Sequence, residues 1–84
     1  MTNIFVGNLA SNRTADELSH LFRSYGLVDA VEIVTDPETR YSRGFAFVEM
    51  RNDLEARNAV SHLDGVVMWG KAIRVQACRP LIAA

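Results

Sequence analysis

Cysteine is nearly missing: Cys78 is the one thiol in 84 residues. That excludes an intramolecular disulfide framework and favours a reducing compartment. No apolar run approaches the roughly 18 residues of a membrane span, and the first residues lack a charged region followed by a hydrophobic signal core. A soluble cytoplasmic protein with no membrane partner is the expectation. His20 and His62 fall on different expected helices, and no Cys or His pair has metal-ligand spacing. Glycine-rich phosphate loops, repeats, linkers and low-complexity segments are absent as well. These absences point away from an enzyme and leave no metal or cofactor to be expected.

A basic excess is also lacking. The net charge is -1, whereas nucleic-acid-binding domains often carry a basic footprint. Distribution matters more than the sum, because Asp16, Glu17, Asp53 and Glu55 sit at expected helix starts, where acids complement the helix dipole. A chain of 84 residues has room for one compact domain. At this size only about 60% of the extended surface is buried, so a large internal cavity is not expected.

Local patterns supply the elements. Residues 3–8 read as a strand with Ile4 and Val6 inward and Asn3 and Phe5 outward. Thr14 and Glu17 form a capping box, after which Leu18, Leu21, Phe22 and Tyr25 recur at helical spacing until Gly26. A second strand covers about 28–34, with Val31 and Ile33 inward and Glu32 outward. Residues 36–42, beginning Asp36-Pro37, supply turn chemistry. Asn52 and Glu55 cap a second helix with an apolar stripe of Ala56, Ala59, Val60 and Leu63. Residues 66–70 suggest a short hairpin in which Trp69 packs on that second helix. A last strand spans about 72–77, with Ile73 and Val75 inward and Arg74 and Gln76 outward.

The order β-α-β-β-α-β is the ferredoxin-like α+β sandwich, a four-stranded antiparallel sheet with both helices on one face. The other face then has no chain left to cover it. This gives Arg43-Gly44-Phe45-Ala46-Phe47-Val48-Glu49-Met50 its meaning. Side chains alternate along a strand, so Ala46, Val48 and Met50 form an inward row and Arg43, Phe45, Phe47 and Glu49 an outward one. Buried strand positions are the alternative reading of the two phenylalanines. Against it stand the flanking charges and the matching outward Phe5, and flat rings beside a guanidinium suit unstacked bases and phosphates.

That octapeptide meets the pattern K/R-G-F/Y-G/A-F-V-x-F/Y except at Met50, and Ile4-Phe5-Val6-Gly7-Asn8-Leu9 looks like its companion hexapeptide. The chain resembles the RNA recognition motif (RRM) family, in particular small bacterial proteins made of a single such domain, over residues 2–79. The implied organisation is an RRM domain at 1–79 and a short tail at 80–84. By resemblance, Phe5, Phe45 and Phe47 are base- and sugar-contact positions and Arg43 a phosphate contact. Asn3, Arg74 and Gln76 share the outward face. Asn8 matches too, with turn fixing as its simpler role. The loop before the octapeptide departs from the family's D-x-x-T-G-x-S-R-G, since Arg40 stands at the glycine position and Tyr41 follows. Those two residues are either an RNA clamp or a solvated loop tip.

The expected function is non-catalytic binding of single-stranded RNA, with single-stranded DNA left open. The expected state is a monomer, with a dimer through the apolar tail as the alternative. The rival function is a protein-interaction module that holds a partner peptide on the sheet face or helix 1.

Overall fold

A computed structural model describes residues 2–10, 13–39 and 42–78, and for Ser42 and Arg43 the backbone alone. Expectations for Arg40, Tyr41 and the tail lie outside the described residues. The elements are β1 (Thr2–Gly7), α1 (Ala15–Arg23), β2 (Val28–Thr35), β3 (Ser42–Met50), α2 (Asp53–Leu63), β4 (Val67–Met68), β5 (Lys71–Ala72) and β6 (Arg74–Cys78). β2, β3, β1 and β6 form one four-stranded sheet in that order, antiparallel throughout, and β4 pairs with β5 as a separate ribbon.

Each helix starts where its cap dictates. The Thr14 hydroxyl accepts from the Glu17 amide at 3.2 Å, and the Thr14 amide donates back to Glu17 Oε1 at 3.0 Å, so two otherwise orphaned donors are satisfied reciprocally. α2 is capped by Asn52, whose side-chain oxygen accepts from the Glu55 amide at 3.0 Å. α1 stops at Arg23, short of the expected 25, because the Tyr25 amide bonds Phe22 carbonyl at 2.9 Å and tightens the last turn. Tyr25 then stacks on His62 of α2 with ring centroids 5.6 Å apart.

The two helices share one core against one face of the sheet. Ile4, Val6, Ala46, Val48 and Val75 come from the strands, and Leu18, Phe22, Ala56, Ala59 and Leu63 from the helices, all buried. Met50, where the family pattern asks for an aromatic, is fully buried in this layer, as its parity requires. Val31 and Ile33 pair with Val48 and Ala46 and are partly buried on the same side.

The expected last strand is divided. Ile73 leaves the ladder to bond the loop after α2: Gly65 N–H donates to its carbonyl at 2.8 Å, and its own N–H donates to Val66 carbonyl at 3.0 Å. The residues before it form the β4–β5 hairpin. Trp69 and Gly70 at its tip have φ of 53° and 82°, the positive pair that a tight primed turn needs. A bulky residue is uncommon there. The Trp69 ring is partly buried against the core that α2 shares, and it also lies beside α1, lining a cleft with Asp16, Glu17, His20 and Leu21. The Arg13 guanidinium sits 5.3 Å over the ring, an attraction between a cation and an aromatic face that helps hold the hairpin tip there.

Candidate nucleic-acid interface

The sheet face away from the helices carries the outward parity set. Register places Phe5 of β1 between Phe47 of β3 and Gln76 of β6, and Gly7 between Phe45 and Arg74. The three rings meet as a triangle. Phe5 and Phe45 have centroids 5.9 Å apart and planes inclined by 30°, so they form a nearly continuous platform. Phe47 stands at 64° to Phe5 and 86° to Phe45, with centroids at 5.9 and 6.3 Å. It is also the most open of the three, 38% exposed, while Phe5 and Phe45 are half-buried.

Gly7 makes the platform possible. A Cβ placed there would fall 2.7 Å from Phe5 Cε2, so the Phe5 ring lies over the bare backbone of its own strand. The signal for Gly7 in the sequence is its place inside a strand, where a glycine often marks such a close approach. Gly44 is the other glycine that matters. Its φ is +92°, and its carbonyl accepts from the Leu9 amide at 2.9 Å. Here β3 shifts register against β2 between the pairs Ile33/Ala46 and Thr35/Ser42. The straight alternation used to place Arg43 is interrupted at this irregularity, and the Arg43 backbone belongs to β3.

Asn3 and Gln76 are exposed on the same face. Arg74 is exposed as well, with Nε 3.7 Å from Asp64 Oδ1, a long solvent-screened pair that leaves its charge available. Asp64 holds the start of β6 more firmly by accepting the Val75 amide at 2.9 Å. Asn8 turns out structural: with φ of +57° it leaves the strand and donates Nδ2 to the Ala72 carbonyl at 2.7 Å. Glu32, beside Phe47, and Glu49, beside Asn3, complete the face as its acids.

Asp53, at the start of α2, has its carboxyl held below the ordinary value chiefly by the Thr2 hydroxyl, which donates to Oδ1 at 2.6 Å. Among the described residues no three His, Cys, Asp or Glu side chains gather as a metal site, and no helix is long and apolar enough to cross a membrane.

Comparisons with known proteins agree with this arrangement. The family description for the RNA recognition motif matches residues 4–74. RbpF of Nostoc sp. (strain PCC 7120), a protein designated RNA-binding, is 42% identical over 78 residues, covering 93% of this chain and 74% of its own. A crystal structure of RNA Binding Protein PG1 superposes with a TM-score of 0.91 at 38% identity, covering 95% of this chain and 99% of that one. A Sex-lethal protein/RNA complex gives a TM-score of 0.88 at 34% identity over 94% of this chain and 47% of its partner in the comparison.

Proposed function

The chain belongs to the RNA recognition motif family, and from that premise we propose that it binds single-stranded RNA on the open sheet face without catalysing a reaction. The observation that carries this reading is the triangle of Phe5, Phe45 and Phe47 on the face opposite the helices. Two nearly parallel rings accept the flat faces of successive bases, and the steep Phe47 ring packs a sugar. Base stacking on aromatic side chains contributes about 1–3 kcal/mol per base.

About two to four nucleotides cross the sheet in this arrangement. Asn3, Arg74 and Gln76 contact base edges or backbone from the flanking strands. Arg43 takes a phosphate, and Arg40 and Tyr41 are the candidates for a further RNA contact from outside the sheet. The RRM domain is assigned to 1–79 and works as a cytoplasmic monomer, with 80–84 as a tail. A peptide-binding module would sooner lose or cover one ring, and the trio here is whole and at the surface.

Titration with labelled single-stranded RNA, single-stranded DNA and duplex RNA, followed by amide NMR shifts, tests the proposal. Single strands should bind at least about tenfold tighter than duplex, because stacking needs base faces that a duplex hides. Shifts should centre on β1 and β3. Equal affinity for duplex would sink the stacking mode, and a lack of saturable binding to any nucleic acid would favour the peptide-binding rival.

A further inference from the structure

Beside the aromatic platform the open face holds a cleft of about 250 Å³ lined by Asn3, Ala30, Glu32, Phe47 and Glu49. Three strands build it. Glu49 lies directly across from Asn3 on one side and from Ala30 on the other, and Glu32 lies across from Phe47. The alanine methyl leaves room where β2 bears a small side chain, and the Phe47 ring supplies an apolar wall. Among the described residues neither carboxylate has an ion-pair partner. Phosphates are repelled by such a site, and the part of an RNA strand that suits it is the donor-bearing edge of a base.

From this geometry we infer that the cleft selects guanine, an inference that rests on the RNA-binding reading above. An ionised carboxylate offers only acceptors, whereas an amide offers a donor and an acceptor. Guanine's pairing edge presents two adjacent donors, N1–H and the N2 amino group, followed by the acceptor O6. The two oxygens of Glu49 match the donors, and the Asn3 amide beside it matches O6. Glu32, across Phe47, disfavours acceptor-rich edges from the other side. Uracil fits worst, because its single N3–H is flanked by two carbonyl oxygens that would face carboxylates. Cytosine and adenine each bring one amino group next to a ring nitrogen acceptor, and so stand between.

Fluorescence anisotropy with labelled uridine heptamers whose central base is guanine, cytosine, adenine or uracil provides the test. The guanine oligomer should bind about tenfold tighter than the all-uridine one, the scale of one bidentate base contact. Glu49→Gln, with its fold checked by thermal melting, should bring that ratio close to one. Phe45→Ala should weaken all four oligomers together. Equal binding of the four by the natural protein overturns the inference while leaving RNA binding in place. A Glu49→Gln variant that shifts all four by one common factor also overturns it, since that is what a nonspecific charge does. Failure of all four to bind overturns the RNA-binding reading itself.

Discussion

At Phe45 and Phe22 the same side chain serves two opposite purposes. Phe22 is fully buried between helix and sheet, and its truncation to alanine should destabilise the domain by about 3–5 kcal/mol, read from a thermal or denaturant melt. Phe45 is half-buried on the open face. Phe45→Ala should leave the melt nearly unchanged and weaken RNA binding by about 1–3 kcal/mol. An equal loss of stability in both variants would contradict the assignment of faces. Gly7 gives a finer probe. A methyl there collides with the far end of the Phe5 ring rather than with backbone, so the ring swings aside while the strand stays. Gly7→Ala should therefore lower RNA affinity several-fold with stability within about 0.5 kcal/mol of the natural protein.

The elements divide the labour between stability and binding. α1 depends on its capping box, and Thr14→Ala should cost about 1 kcal/mol of stability. RNA affinity of the folded fraction should not change, because α1 packs behind the sheet. A drop in affinity at constant folded fraction would mean that α1 touches the ligand. The β4–β5 hairpin has a different task. It carries Trp69 to α1 and turns the chain so that Ile73 can bond the loop after α2 before β6 enters the sheet. β6 then starts with Arg74 outward and Val75 buried, which is how one edge of the binding face receives its cation.

For the whole molecule the weak charge becomes a measurable statement. A net charge of -1 and the acids Glu32 and Glu49 on the face itself leave few cations to neutralise phosphate. Arg43, Arg74 and up to two of Lys71, Arg40 and Arg79 should account for about two to four contacts. At roughly -0.7 per phosphate for single strands, log K against log salt should have a slope of about -1.5 to -3. A slope steeper than about -5 would reveal a basic surface outside this face and would displace stacking as the main source of affinity.

Sequence alone determined the order of the elements, the two helix starts, the inward rows and the grouping of Phe5, Phe45 and Phe47 on one face. Those features follow from side-chain alternation, helical spacing and caps, which act over a few residues. Even Met50 was legible, since parity says that position 50 points inward. Tertiary structure decided what depends on partners far along the chain. The tilt of Phe47 against the Phe5 and Phe45 platform, the ring lying over Gly7, and Trp69 lying under Arg13 and beside α1 arise from packing between separate elements. The cleft around Glu49 needs residues from β1, β2 and β3 at one level of the sheet. That level depends on cross-strand register and on bulges such as the ones that shift β2 against β3, and a single strand's sequence carries no record of the register its neighbours adopt.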